Sequence, residues 1–211
     1  ARARIPHIKP SFAVMKIIFI IMSYLLGAVP TGYLLVKMTA RQDIRQVGSG
    51  STGTTNVLRY RGWKTAIPVL IFDVLKGFLP VFLASSWLAD ERLAWLALAA
   101  AVAGHCYPVY IKFKGGKGVA TSLGGFLYFS PLAFILILII IIMMIALFRY
   151  VSLATLTGLL VYSPLLTIIE KNYLGAVASF LIFLLVLSRH HDNIKRLLSG
   201  RERKFGEKLN G

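Results

Sequence analysis

Long apolar runs separated by short polar segments dominate the chain. The runs lie at 17–36, 65–89, 93–111, 131–148, 150–169 and 173–188. A transmembrane helix needs roughly 17–25 mainly apolar residues, and most of the runs reach that length. Because apolar runs continue as far as residue 188, none stands out as a cleavable signal. The pattern predicts an all-α, polytopic membrane bundle.

The charge of the chain supports this interpretation once its position is considered. Hydrophobic residues make up 57% of the chain and charged residues 15%, yet the net charge is +16. In a soluble protein such an excess would suggest nucleic acid. Here sixteen of the 24 basic residues lie in 37–64, 112–118 and 189–211, between or after apolar runs. This is the distribution of a positive-inside topology, so we expect the lipid bilayer and no nucleic acid as a partner.

The basic segments also predict the number of crossings. If all three face the cytoplasm, the weakly charged loops 89–92 and 170–172 lie outside. The six runs alone would then leave the basic C-terminus outside. Residues 119–130 supply one more crossing, about 18 Å long as a helix and buried among other helices or partly re-entrant. We therefore predict seven transmembrane helices, with the N-terminus outside and the C-terminus cytoplasmic.

The chain divides into one membrane domain and two short ends. Residues 1–14 precede Met15 and differ from the rest in composition, so they are interpreted as a leader or an alternative start and given no function. Residues 15–205 form a single membrane domain without an internal repeat, and 206–211 form a C-terminal tail.

No cofactor or metal site is predicted. Cys106 is the only cysteine, which excludes an intrachain disulfide and a thiolate metal cluster. The eight acidic residues are too dispersed to suggest a cage for a hard metal or a pair of catalytic carboxylates.

Small residues recur at helical spacing in the run 93–111. Ala97 and Ala101 form one small-xxx-small pair, and Ala100 and Gly104 form another. Such pairs let helices approach closely, so we expect packing and no catalytic role for these alanines.

The stretch "GSGSTGTTNVLR" at 48–59 combines glycines with neutral donors. It matches G-x-G-x-x-G, but a membrane helix precedes it where a dinucleotide site needs a strand, so that site is rejected. Glycines let backbone N–H groups converge on an anion, and Arg59 supplies a guanidinium suited to phosphate. An ordinary polar loop is the alternative. The neutral side-chain donors are Ser49, Ser51, Thr54, Thr55 and Asn56.

The stretch "GHCYPVYIKFKGGKGVAT" at 104–121 has the chemistry of a phosphate cradle. It is not a Walker A motif, because Lys117 is followed by Gly118. Lysine is costly in a bilayer and glycine is a poor helix former, so their combination needs a reason. Flanking glycines bring the backbone close to a ligand, and a helix beginning near Val119 aims its positive end at the same place. The alternative is a cytoplasmic anchor, which suits Lys112 and Lys114.

The stretch "SRHHDNIKRLLSGRERKFG" at 188–206 begins where the last run ends. On a helix, Arg189, Asn193 and Arg196 share one face, and His190 lies three residues before Asn193. The alternative is a basic tail attracted to anionic lipid. His190 and Asn193 fit that alternative poorly, because neither carries a full charge at neutral pH.

Two acid–base features lie inside apolar runs. Asp73 and Lys76 are ionisable residues within 65–89, which makes a functional role and a paired structural role equally reasonable. His105, with Tyr107, lies near the end of 93–111, where an interface position is the simpler interpretation.

The three polar stretches together resemble the signature motifs of the bacterial acyl-phosphate-dependent glycerol-3-phosphate acyltransferases. "RYVSLAT" at 149–155 and "FDVLKG" at 72–77 also resemble that family, and the similarity runs from Met15 to about Phe205. Ser51 and Thr54 depart from the family's usual Asn and Ala, and both keep the loop polar.

The resemblance implies transfer of an acyl group from acyl phosphate to the 1-hydroxyl of glycerol 3-phosphate. The products are 1-acyl-glycerol 3-phosphate (lysophosphatidic acid) and phosphate, in the first step of phospholipid synthesis. It further implies the bacterial inner membrane, a cytoplasmic active site, and an upstream enzyme that makes the acyl phosphate as a partner. The implied catalytic residues are Ser49, Arg59, Lys117, His190 and Asn193. The implied substrate- and phosphate-binding residues are Gly48, Gly50, Thr55, Asn56, His105, Lys114, Gly115, Gly116, Gly118, Thr121 and Ser152.

Two questions stay open at this point. The proton of the acceptor hydroxyl goes either to His190, whose ordinary pKa suits a base, or to a substrate phosphate, which we favour slightly. From the residues alone, a transporter of phosphate-bearing solutes and a lipid-binding scaffold are the rival functions. Acyl-chain preference and oligomeric state leave no signal in the sequence.

Overall fold

The computed structural model describes residues 12–207, and these residues form α-helices with no strand. The helices are α1 (Phe12–Ala28), α2 (Thr31–Ala40), α3 (Thr54–Arg61), α4 (Trp63–Ser86), α5 (Glu91–Cys106), α6 (Val119–Phe129), α7 (Pro131–Phe148), α8 (Val151–Glu170), α9 (Tyr173–Ser188) and α10 (His191–Leu198). Two short 3-10 turns, Ile44–Gln46 and Val109–Ile111, lie in the loops. The all-α prediction is confirmed. Most of the predicted leader and tail lies outside the described residues.

The helices include several that are long and apolar enough to cross a membrane. Within 12–207 there are five such spans: Phe12–Ala40, Trp63–Ser86, Glu91–Ile111, Pro131–Phe148 and Val151–Glu170. α9 and α10 form a sixth if this pair, bent by 68°, counts as one span. α6 has 11 residues and packs against α4, α5 and α7. A polytopic membrane bundle is therefore confirmed, and the count of seven crossings stays a prediction.

The first apolar run is divided into two helices. α1 ends at Ala28 and α2 begins at Thr31, with Pro30 between them. Proline has no N–H and disfavours a helical conformation in the residue before it, so the helix breaks there. The break leaves the Val29 carbonyl available to a side chain from α4, a contact that becomes important below.

The polar segments separate to the two ends of the bundle. At one end, Nη1 of Arg45 donates to the carbonyl of Ile111 over 3.0 Å, which joins two of the basic segments. At the other end, Nδ2 of Asn172 donates to Oε1 of Glu91 over 2.6 Å, which joins the two weakly charged loops. We call the first the basic end. This separation agrees with the topology that the charge pattern predicts.

Aromatic side chains form the core between α5, α6 and α8. The rings of Phe126 and Tyr162 stack with centroids 3.9 Å apart, and those of Trp95 and Phe129 with centroids 3.6 Å apart. The hydroxyl of Tyr162 donates to the carbonyl of Phe126 over 2.8 Å, so this buried polar group is satisfied. The core thereby fixes short α6, whose N-terminal end carries Lys117 and Gly118.

Small residues bring α1 and α5 into close contact, as their spacing predicts. A Cβ added at Gly104 would lie 2.2 Å from the Tyr24 carbonyl oxygen, and one at Gly27 would lie 2.1 Å from that of Ala101. Both distances are far below van der Waals contact, so neither position has room for a side chain.

We expect Gly104→Ala to destabilise the protein by about 1–3 kcal/mol, the usual range for overpacking a core. The added methyl group must push α1 away from α5, since the atom it meets belongs to the backbone. A thermal unfolding curve in detergent measures the effect. Leu96→Ala, on an exposed position of the same helix, is the control, and an equal midpoint for Gly104→Ala and the wild type would contradict the packing role.

Candidate active site

A cavity of about 320 Å³ lies at the basic end and is bounded by all three polar stretches. Its lining contains both polar and apolar side chains. The polar lining comprises Ser49, Ser51, Gly53, Thr54, Thr55, Asn56, Arg59, Asp73, His105, Lys117, Gly118, Ser152, Thr155, His190, Asn193 and Glu202. The apolar lining comprises Leu58, Trp63, Leu70, Val119, Ala120, Leu123, Ile141, Ile145, Val151 and Phe205.

Lys117 stands in a chain of hydrogen bonds that joins three separate parts of the sequence. Its Nζ donates to Oδ1 of Asn193 over 2.5 Å. Nδ2 of Asn193 in turn donates to Oε1 of Glu202 over 2.6 Å. Because an amide accepts at one end and donates at the other, these two bonds fix the orientation of Asn193.

Glu202 accepts hydrogen bonds from several polar side chains of the site. Its Oε1 also accepts from Oγ of Ser152 over 2.8 Å, and its Oε2 accepts from Nε of Arg196 over 2.8 Å. The carboxylate is buried among cationic side chains. It therefore orders the site and offsets part of the positive charge there.

The surroundings shift the pKa values of the charged groups. Burial would raise the pKa of Glu202, but hydrogen bonds from Asn193, Ser152 and Arg196 hold it below its usual range. Burial lowers the pKa of Lys117 to about 8, although the negative charge of Glu202 opposes the shift. Burial likewise lowers the pKa of Arg59, again opposed by Glu202. Glu202 thus opposes the loss of charge from Lys117.

His190 is held in one tautomer. Its Nδ1 lies 2.8 Å from the carbonyl oxygen of Val186. A carbonyl oxygen can only accept, so the neutral ring carries its proton on Nδ1 and leaves Nε2 as an acceptor. Burial, together with the charge of Lys117, lowers the pKa of His190 to about 4. The ring is therefore neutral at physiological pH and weakly basic.

The first polar loop, residues 47–53, is built around Asn56. Oδ1 of Asn56 accepts from the Ser49 N–H over 3.1 Å, and its Nδ2 donates to the carbonyls of Val47 and Ser51, each over 2.9 Å. Gly48 and Gly50 have φ of 64° and 69°, a region that favours glycine. Asn56 lines the cavity, yet its amide is already occupied in shaping the loop.

The second loop, residues 112–118, lies against His105. The Gly116 N–H donates to the His105 carbonyl over 3.0 Å. A Cβ at Gly116 would lie 2.0 Å from Nε2 of His105, so only glycine fits there. Gly118 precedes α6 with a φ of 87°. Lys114, in contrast, is exposed and outside the cavity wall.

The cavity thus collects most, but not all, of the predicted site residues. Those that line it are Ser49, Thr55, Asn56, Arg59, His105, Lys117, Gly118, Ser152, His190 and Asn193. Those outside the lining are Gly48, Gly50, Lys114, Gly115, Gly116 and Thr121. The roles assigned to both groups stay predictions, and the glycines outside the lining contribute to loop shape.

Three buried polar atoms at or beside the cavity have no hydrogen-bond partner within residues 12–207. They are Oγ1 of Thr54, Nδ1 of His105 and Oγ1 of Thr121. Buried polar atoms are nearly always paired. Nδ1 of His105 lies 3.6 Å from a carboxylate oxygen of Asp73, and Thr121 lies outside the cavity lining, so of these three atoms only Oγ1 of Thr54 is an unpaired group of the lining. No group of three or more His, Cys, Asp or Glu side chains in the described part of the chain is arranged to hold a metal ion.

Sequence reasoning missed Glu202, Thr155, Trp63 and Phe205. Glu202 carried a weak signal, because it is a single acid in the basic segment "GRERK". Nothing in the sequence indicated that Ser152, 50 residues earlier, would be its partner.

Comparison with known proteins identifies the family. The family model described as glycerol-3-phosphate acyltransferase matches residues 17–200. A glycerol-3-phosphate acyltransferase of Syntrophotalea carbinolica is 44% identical over 190 residues, covering 89% of this chain and 96% of that protein. One from Geotalea daltonii is 45% identical over 192 residues, covering 90% and 97%.

Solved structures show the same fold. PlsY (YgiH), an integral membrane glycerol 3-phosphate acyltransferase in its glycerol 3-phosphate form, aligns with a TM-score of 0.86 and 37% identity, covering 91% of this chain and 96% of that one. Its lysophosphatidic acid form aligns with a TM-score of 0.84 and 36% identity, covering 92% and 96%. Since the family model and the relatives span most of the chain, the protein belongs to the glycerol-3-phosphate acyltransferase family.

Proposed function

We propose that the protein transfers an acyl group from acyl phosphate to the 1-hydroxyl of glycerol 3-phosphate and releases phosphate. One observation carries this proposal: a single cavity is lined both by cations and hydrogen-bond donors and by apolar side chains. The cations and donors suit the two phosphates, and the apolar side chains suit the acyl chain. The solved relative's glycerol 3-phosphate and lysophosphatidic acid forms support this acceptor and product.

The apolar residues of the cavity lining give the acyl chain a path from the bilayer. Trp63 and Leu70 of α4 line the cavity and are also exposed on the bundle. Leu123 lies on α6, and Ile141 and Ile145 lie on α7, along the same wall. We infer that a lipid-like donor enters where Trp63 and Leu70 are exposed, keeps its chain against the apolar lining, and presents its phosphate to the cations.

The reaction has a simple balance. The acceptor oxygen attacks the acyl carbon, the bond between that carbon and the phosphate oxygen breaks, and the hydroxyl proton must leave. Lys117 and Arg59 stabilise the charge that develops on the departing phosphate. Because His190 has a pKa of about 4, it is a weak base, which supports transfer of the proton to the leaving phosphate. Nε2 of His190 instead accepts a hydrogen bond that orients the acceptor.

We place the cavity on the cytoplasmic face of the bacterial inner membrane. The basic segments meet at the end of the bundle that holds the cavity, and basic segments favour the cytoplasm. Seven crossings, with α6 as the short one, satisfy this orientation.

The test is phosphate release by the purified protein given acyl phosphate, with and without glycerol 3-phosphate. We expect release that depends on the acceptor, and acylated glycerol phosphate in equal amount. Acceptor-independent release would indicate a phosphatase. Lack of turnover in a folded preparation would favour the transporter, to be followed by uptake into vesicles.

The depressed pKa of Lys117 predicts an alkaline limit to activity. Only the protonated amine attracts phosphate, so kcat/KM should fall as the pH rises through about 8, since kcat/KM reports the ionisations of the free enzyme. A pH profile of the wild type measures the limit. In Lys117→Arg the guanidinium stays charged, so this limb should disappear even if the variant is slower. An unchanged limb in Lys117→Arg would assign the ionisation to another group.

A further inference from the structure

Asp73, Lys76 and His105 form an ionisable cluster inside the membrane bundle, and the proposed reaction gives Asp73 and Lys76 no step. Their exposed fractions are 1%, 4% and 6%. An oxygen of Asp73 lies 2.8 Å from Nζ of Lys76 and 3.6 Å from Nδ1 of His105. Replacing a buried ion pair with apolar residues is often neutral or stabilising. Stability alone therefore gives little reason for this pair.

On one side the cluster reaches the first loop. Oγ1 of Thr31 donates to Asp73 over 2.5 Å, and Nζ of Lys76 donates to the Val29 carbonyl over 3.0 Å at the break between α1 and α2. The next residue, Gly32, packs so closely that an added Cβ would lie 2.0 Å from the Thr52 carbonyl oxygen. Asp73 thus holds the start of α2, and the start of α2 supports residues 47–53.

On the other side the cluster reaches the second loop. The His105 ring lies between Asp73 and Gly116, with Nδ1 toward the carboxylate and Nε2 against the glycine. The Gly116 carbonyl also accepts from Nε of Arg189 over 3.3 Å. Gly116 is therefore held from both sides, and the residue that follows it is Lys117.

We infer that Asp73 is a positioning residue that fixes the two polar loops relative to each other. It acts through Thr31 and Lys76 on the first loop and through His105 on the second. This inference rests on the proposed function, since it assigns the loops to the phosphates of the two substrates. Small displacements between reacting groups are costly, and about 1 Å can reduce a rate about 100-fold.

The experiment separates positioning from charge neutrality. Asp73→Asn leaves the buried charge of Lys76 without a counter-charge, whereas the double variant Asp73→Leu/Lys76→Met removes both charges of the pair. We expect both to lower kcat/KM by roughly 10-fold to 100-fold while the double variant keeps its thermal midpoint. Nearly wild-type kcat/KM in the double variant would overturn the inference, because it would show that Asp73 and Lys76 only neutralise each other's charge. If neither variant folds, Thr31→Val removes a single donor, and unchanged kcat/KM in that variant would overturn the inference.

A double-mutant cycle tests whether Asp73 acts on kcat/KM through Lys117, which a purely structural role would not do. If Asp73 acts through the loop that carries Lys117, its change should have little further effect on a Lys117→Ala background. Multiplying effects would place its action elsewhere and overturn the link to Lys117. Lys16→Met, which breaks an ion pair with Asp90 at the other end of α5, is the control and should leave kcat/KM unchanged. An inactive wild type would refute the proposed function and with it the assignment of the loops to the substrates' phosphates, whereas an active wild type with unaffected Asp73 variants would refute this inference alone.

Discussion

Lys117→Ala should lower kcat by at least about 100-fold, as expected when an oriented donor at developing charge is removed. Lys117 donates to Asn193 and lines the cavity. Its neighbours Gly116 and Gly118 have no room for a side chain. The variant removes no apolar side chain from the core, so its membrane insertion should stay close to the wild type, and its thermal midpoint should fall by no more than the loss of the hydrogen bond to Asn193 explains. Steady-state rates at saturating concentrations of both substrates measure the loss.

Lys114→Ala is the matched control for this prediction. It removes the same charge from the same loop, but Lys114 is exposed and outside the cavity. If the loop were only a cytoplasmic anchor, the two variants would behave alike. Equal, small losses in both would therefore contradict a phosphate role for Lys117.

Local physical requirements made part of this site predictable from the sequence. A lysine between glycines, bordered by apolar runs, favours close approach to an anion over a cytoplasmic anchor, because an anchor does not require the glycines. The charge on either side of the short segment 119–130 predicted a helix there as one more crossing. α6 lies there, packed among longer helices, and the crossing itself stays a prediction.

The rest depended on contacts between distant residues. The side-chain amide of Asn56 is able to donate a hydrogen bond to a phosphate, but the nearby carbonyls of Val47 and Ser51 already accept from it. The helix break follows from a single residue, Pro30. Nothing in the sequence indicates the hydrogen bond between Thr31 and Asp73, which are 42 residues apart. In the sequence, Glu202 is one acid in a basic tail. Only the fold places it beside Ser152 and Asn193.

Glu202→Gln should reduce both activity and stability. The neutral amide keeps the shape, but one of its two ends now donates, so it cannot accept from Ser152, Asn193 and Arg196 together. Hydrogen bonds to a charged group contribute about 1.5–3 kcal/mol each, and we expect a loss of at least that size in the free energy of unfolding. Removing the charge also lowers the pKa of Lys117 further, because Glu202 opposes the effect of burial.

The pH profile distinguishes a catalytic consequence from simple unfolding. Measured well below the thermal midpoint, Glu202→Gln should show a kcat/KM reduced by roughly 100-fold, comparable to the loss of an oriented donor. Its alkaline limb should lie below the wild-type limit near pH 8. Glu207→Gln, an exposed acid in the same segment, should match the wild type in all three measurements. A lowered midpoint with normal kcat/KM and an unmoved limb would mean that Glu202 ties the C-terminal segment down without tuning Lys117, because a purely structural carboxylate has no effect on the charge of that amine.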